Sequence, residues 1–340
     1  MTVTPTAAAK EKQHPIARFF ADQTKWTPYV FVAPFLITFC IFTLYPMLRA
    51  IVIGFEEKVG FTGTQWEWVG LANFVEAITD DPRMLINLEG ETLRLLGAEI
   101  AVPVWLGVAL KNFVFYTLGS LATQLPLAFL LAWLLTSRPL KAKGLWRTVF
   151  FIPSVLPGVT MGVVGAWFFH ETRGFFNEVL MQTGLITDRI AWMNYPKYIM
   201  PILLTVAFWQ YMGNHAVFMI AGMTGIDEEI LEAAFVDGAN GFQRARYIIL
   251  PMLKPVFAYI SITAAAGSLM AYQVPYVLLG TTGGARGQGW FFMPYITQMA
   301  FDQQRWGYAT AIGWIVFFIA VVITVFQLRL YNFKVGKSGA

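Results

Sequence analysis

Six long apolar runs, at 29–55, 112–136, 148–169, 199–223, 255–279 and 307–330, constrain this chain more than any other feature. Each is about as long as the roughly 20 residues an α-helix needs to cross a hydrocarbon core. Inside a bilayer every backbone polar group must be paired within its own segment, so such runs must be helical. Composition agrees. The chain is 57% hydrophobic and 13% charged, whereas soluble domains are about 45–50% apolar and about 25% charged. Pro126, Pro153, Pro157, Pro201 and Pro275 fall inside the runs, which membrane helices tolerate where neighbours satisfy the freed carbonyls. The predicted class is all-α, a polytopic membrane helix bundle with six transmembrane helices.

The loops set the expected orientation. "SRPLKAKGLWR" at 137–147 holds four basic residues and no acid, so it belongs on the cytoplasmic side. Alternation then places both termini and the segment 224–254 inside. The loop 56–111 falls outside. Within it, 85–110 has a helical pattern and is read as an external or interface-lying helix, because a seventh span would break the alternation. The first run is too long and too aromatic for a signal peptide, whose apolar core is about 7–15 residues. The preceding tail, 1–28, contains "HPIARFFADQTKW", which is either a weakly amphipathic interfacial helix or a disordered tail. Residues 331–340 form a second cytoplasmic tail. Cys40 is the single cysteine, and the three histidines (His14, His170, His215) lack metal-ligand spacing. Nothing in the charge distribution suggests nucleic-acid binding.

One stretch breaks the apolar pattern. Asp227 to Pro251, "DEEILEAAFVDGANGFQRARYIILP", carries five carboxylates and two arginines. Burying seven charges at a span centre would cost about 17–25 kcal/mol at about 2.5–3.5 each, so the segment lies outside the bilayer. Asp227 is placed to cap a helix whose first turn holds Glu228 and Glu229, where the helix dipole favours negative charge. Ile230, Leu231, Ala234 and Phe235 share a face. Gly238 ends the helix, and "GFQRARYIILP" starts a second. The expected element is a cytoplasmic helix–turn–helix.

"EAAFVDGANGFQRARYIILPMLKP" at 232–255 resembles the EAA signature of membrane subunits of bacterial ATP-binding-cassette importers. Its three blocks, Glu-Ala-Ala, Asp-Gly-Ala and Ile-x-Leu-Pro, are all present. "FVAPFLITFCIFTLYPMLRAI", "GLANF", "GLWRTVFFIPSVLPGV", "YVLLGTTGG" and "RWGYATAIG" extend the likeness to the sugar-permease branch over residues 28–331, with 85–110 as an insertion. Ala245 departs from it, since relatives usually place an aromatic there. The resemblance implies that Glu232, Ala233, Ala234, Asp237, Gly238 and Ala239 seat in a cleft of a dimeric cytoplasmic ATPase. It further implies a second homologous permease subunit, an extracytoplasmic solute-binding protein and a sugar substrate. ATP and Mg would be bound by the ATPase, with no cofactor on this chain.

Polar residues within spans are costly and mark candidate sites. Gln210, Tyr211 and Asn214 in the fourth run, and Ser268, Tyr272 and Gln273 in the fifth, sit at helical spacing. Their amides and hydroxyls suit sugar hydroxyls, and Trp209, Tyr211 and Tyr272 offer faces for ring stacking. Bonds between helices would use the same groups, and His215 is read in that structural role. The aromatic region 290–306 is read as an interfacial belt and docking surface. The absence of intramembrane carboxylates argues against a proton-coupled secondary carrier. Glycerol phosphates and polyols stay open as substrates. No convergent nucleophile or acid–base pair suggests an enzyme, and "VGKS" at 335–338 lacks the glycine at 331 that a phosphate loop needs.

Overall fold

The computed structural model describes residues 23–59, 65–79, 93–95, 98–100, 104–137 and 142–331. Two compact units divide the chain, Met1–Val52 and Ile53–Ala340. The first carries α1 (Gln23–Phe39), a π-helical turn (Cys40–Leu44) and nearly all of α2 (Tyr45–Ile53). Tyr29, Phe31, Phe35 and Phe42 are exposed along it, as side chains on a lipid-facing helix would be. The possible interfacial helix within 1–28 lies almost wholly outside the described residues.

The second unit begins with an antiparallel pair, β1 (Glu56–Val59) and β2 (Gln65–Trp68), in the register Glu56 to Trp68. The short helix α3 (Ala72–Thr79) follows. Residues 93–95 (β3) and 98–100 (β4) form a second antiparallel pair. This corrects the helix expected over 85–110: the described part is a strand pair followed by the start of the next helix. That helix, α4 (Val104–Ser137), begins eight residues before the expected span.

Bends replace two of the expected continuous spans. The third run is α5 (Lys143–Val155) and α6 (Gly158–Phe168), meeting at 97°. Pro153 lies in the last turn of α5 and Pro157 in the break itself, where proline removes a helical donor and pushes its predecessor, Leu156, out of the helical region. After α7 (Phe175–Gln182) the fourth run is one helix, α8 (Pro196–Thr224). The charged segment forms α9 (Glu228–Val236), α10 (Gly241–Arg244), a π-helical turn (Ala245–Ile249) and α11 (Leu250–Met252). The fifth run divides into α12 (Lys254–Leu269) and α13 (Gln273–Leu279), broken at 270–272. α14 (Phe292–Thr297), another π-helical turn and α15 (Trp306–Leu330) complete the described fold.

Among the described residues, three helical stretches are long and apolar enough to cross a membrane: Thr27–Ile53, Trp105–Thr136 and Trp306–Leu330. Counting two bent pairs, α5–α6 and Gly241–Met252 with α12, raises the number to five. α8 is not among them: it is 29 residues long but carries Gln210, Asn214 and His215 in its middle.

α8 is the hub of the second unit, packing along α4 and against α5. Buried Met219 and Leu253 hold its end against α4 and α12, while Ile199, Leu203 and Phe291 hold its start near α6 and α13. The 290–306 region is not the surface belt expected from its composition. Trp290, Phe291, Phe292 and Tyr295 are buried, and Trp105 stacks on Tyr295 at 5.0 Å between ring centroids. Such pairs add about 0.5–1.5 kcal/mol beyond simple burial.

Two motifs far apart in sequence meet near the start of α15. Asn73 of "GLANF" is buried and donates to the carbonyls of Gly54 and Glu56, at 3.1 and 3.0 Å. Gly307 of "RWGYATAIG" abuts the Glu56 carbonyl so closely that a β-carbon there would collide with backbone. Arg305 grips Glu76 through two bonds, 3.0 and 2.7 Å, and lies over the Tyr308 ring. Burial works against the Arg305 charge, but Glu76 and the nearby Glu57 outweigh it and raise its pKa. Burial also raises the Glu57 carboxyl above the ordinary value of 4.5, against the pull of Arg305.

Candidate functional site

A cavity of about 390 Å³ opens where α4, α8, α12 and α13 come together with the α5–α6 break. All six residues expected from spacing line it: Gln210, Tyr211 and Asn214 from α8, Ser268 from α12, Tyr272 just before α13, and Gln273 from α13 itself. Both helix breaks supply wall, through Gly158 on one side and Met270, Ala271 and Tyr272 on the other. A β-carbon at Gly158 would run into the Gln273 side chain, so glycine there lets the two broken helices touch. None of the lining residues is Lys, Arg, Asp or Glu.

The six have different local roles. Gln210 donates through Nε2 to the Leu156 carbonyl at 3.4 Å, which ties α8 to the α5–α6 break. The Ser268 hydroxyl donates to Ala264 within its own helix, at 2.8 Å. Tyr272 stacks on Tyr276 with centroids 5.1 Å apart. Trp209, expected to offer a stacking face, is outside the cavity and stacks on Phe168 instead.

One wall of the cavity lies outside the six residues marked by spacing. Tyr116, Ser120 and Gln124 of α4 line the cavity, four residues apart and so on one helix face. That period is present in the sequence, but nothing local separates a polar stripe that lines a cavity from one that bonds between helices. Thr263 was also missed. His215 lines the cavity too, and its Nδ1 is buried without a partner. This corrects the expectation that it bonds between helices.

The helix–turn–helix has its expected boundaries. Asp227 occupies the N-cap of α9, although its side chain makes no cap hydrogen bond. Glu232 and Ala233 are exposed, Ala234 is half-buried, Asp237 and Gly238 are exposed, and Ala239 is half-buried. Gly238 takes φ +83°, a conformation that side chains resist. In it, the Gly238 N–H reaches Phe235 O at 3.0 Å and the Ala239 N–H reaches Ala234 O at 2.9 Å. Asn240 and Gln243 then bond reciprocally, at 2.9 and 2.8 Å, as a capping box for α10. The expected common face is divided: Leu231 packs inward with Ile249 and Leu253, whereas Phe235 is 67% and Val236 84% exposed. Arg244 lies over the Phe235 ring at 5.6 Å. The result is a turn closed by backbone and side-chain hydrogen bonds, presenting apolar side chains beside carboxylates.

The family model described as binding-protein-dependent transport system inner membrane component matches residues 124–335, which include most of the cavity and the whole turn. The chain belongs to this family. It is similar over 99% of its length to the arabinooligosaccharides transport system permease protein AraP of Bacillus subtilis (strain 168), at 26% identity and 98% coverage of that protein. The lactose transport system permease protein LacF of Rhizobium radiobacter is 26% identical over 91% of this chain and 94% of its own. The diacetylchitobiose uptake system permease protein NgcF of Streptomyces coelicolor is 29% identical over 88% and 81%. The fold also matches a chain from a bacterial ABC transporter that imports the acidic polysaccharide alginate. Its TM-score is 0.72 at 23% identity, covering 94% of this chain and 100% of that one. As a binding-protein-dependent permease, the chain is a multi-pass inner-membrane transport subunit.

Proposed function

We propose that this permease is one of two different membrane subunits of an ATP-driven importer for an uncharged sugar or oligosaccharide. The observation that carries the reading is the cavity. Six residues picked out as hydroxyl-binding line one space of about 390 Å³ with no formal charge in its wall, within the size range of about 300–1,000 Å³ common for small-ligand sites. A glycerol phosphate would call for Lys or Arg, and the lining has neither. The relatives named for arabinooligosaccharides, lactose and diacetylchitobiose support a saccharide substrate, and its lack of charge is read from the cavity lining alone.

In this reading the chain crosses the membrane six times, α8 and the broken helices included, with both termini cytoplasmic. The 227–251 turn then faces a dimeric ATPase, with Glu232, Ala233, Ala234, Asp237, Gly238 and Ala239 in its cleft. ATP and Mg belong to that partner. A surface ion pair at Glu232 contributes only about 0–1 kcal/mol, so docking relies on the exposed Phe235 and Val236 fitting an apolar cleft. ATPase closure would move the capped turn as a rigid body and swing the spans between outward and inward access. A second homologous permease completes the pore, and an extracytoplasmic solute-binding protein delivers the sugar.

The test is a mild-detergent pull-down from the native host, paired with uptake of labelled lactose, arabinotriose and diacetylchitobiose. Wild type should bring down an ATPase and a second permease and should import at least one of these sugars. Glu232→Ala with Gly238→Pro should lose the ATPase. Recovery of the wild-type chain alone, with no sugar uptake, would contradict the reading.

A further inference from the structure

Four side chains of the cavity wall have a buried polar atom that no protein group satisfies: Ser120 Oγ and Gln124 Nε2 on α4, and Gln210 Oε1 and His215 Nδ1 on α8. None of these residues is more than 7% exposed. Asn112 shows what a structural polar group on the same α4 face looks like. Its amide donates to the carbonyls of Gln288 and Trp290 at 2.8 and 2.7 Å. Ser120 and Gln124 lie on that stripe yet have no such bond. Gln210 is half committed, since its Nε2 is used and its Oε1 is not.

A buried polar group left unpaired is destabilising, so four in one wall call for a ligand that satisfies them. The set holds an amide N–H, an amide carbonyl, a hydroxyl that can both donate and accept, and an imidazole nitrogen. Sugar hydroxyls match this mixture because each both donates and accepts. A carboxylate only accepts, and would set its charge against the Gln210 carbonyl with no cation in the lining to offset it.

We propose that Ser120 and Gln124, with Gln210 and His215, form a recognition wall for neighbouring hydroxyls of an uncharged saccharide, and that this wall disfavours acidic saccharides. The proposal rests on reading the chain as a saccharide permease. It assigns specificity to α4, beyond the residues that helical spacing had marked.

The test is equilibrium binding to the intact importer complex, purified from its host into nanodiscs without binding protein and read by saturation-transfer NMR. The probes are lactose, arabinotriose, diacetylchitobiose and trigalacturonate, and monodeoxy analogues of whichever neutral sugar binds. Wild type should bind a neutral sugar and hold trigalacturonate at least about tenfold more weakly, the value of about one good hydrogen bond. Ser120→Ala and Gln124→Leu should each weaken the neutral sugar by a similar factor. One deoxy analogue should lose affinity for wild type but lose nothing further on Gln124→Leu. If both variants bind the sugar as wild type does, or trigalacturonate binds equally well, the wall is not the recognition element, while the saccharide reading survives. If no saccharide binds wild type, that reading falls and this proposal with it.

Discussion

Two polar clusters of the second unit use similar residues to opposite ends. Where α3 meets the start of α15, Asn73 donates to two carbonyls and Arg305 holds Glu76 in a two-pronged bond. In the cavity, Ser120, Gln124, Gln210 and His215 each keep an atom without a protein partner. The first cluster locks distant pieces of chain together. The second stays open to an outside partner. Polarity within an apolar chain is therefore not enough to mark a site; what distinguishes the cavity is that four unpartnered groups converge on one space.

The comparison breaks first where the lock is tightest. Gly307→Val drives a side chain into the Glu56 carbonyl. Backbone cannot step aside as a side chain can, so the expected loss is about 3 kcal/mol or more, seen as a collapse in recoverable folded protein. Normal yield and thermal midpoint would mean that the two motifs do not rely on that contact. Arg305→Ala should cost less, about 1–3 kcal/mol, because Glu76 keeps some access to water once its partner is gone; thermal unfolding of the purified chain reads this.

The smallest effect concerns Glu57. Its carboxyl is raised by burial, so the folded state holds a proton at pH values where the unfolded chain has already released it. Stability should then fall as pH rises through the folded pKa, and the gain on acidification should be complete below the ordinary value of 4.5. Glu57→Gln should flatten this acid-side gain in midpoint-against-pH curves. An unchanged slope would place the titration elsewhere.

The sequence showed some of this readily and hid the rest for physical reasons. α15 and the turn from Asp227 to Met252 were legible because long apolar period, caps and glycine are local signals. The breaks at 156–157 and 270–272 were not: a proline in an apolar run is compatible with a kink, a gap or an intact span, and only packing against α8 and α4 decides. Trp290, Phe291, Phe292 and Tyr295 looked like an interfacial belt because composition does not distinguish aromatics that face water from those facing Trp105. Six residues of the cavity could be chosen from polar type and spacing, with the distance from the EAA block beside them. Ser120 and Gln124 could not be told from Asn112, since the difference lies in partners near residue 290.

That contrast gives the most direct measurement. Asn112→Leu and Gln124→Leu make the same kind of change on the same face of α4, and each should be assayed for thermal midpoint and for affinity toward the transported sugar. Asn112→Leu should lower the midpoint by the equivalent of about 1–3 kcal/mol, as two buried carbonyls lose their donor, with affinity little changed. Gln124→Leu should leave the midpoint level or slightly higher while affinity drops. A fall in midpoint of similar size for both, with affinity intact, would make Gln124 a structural residue like Asn112 and contradict the account.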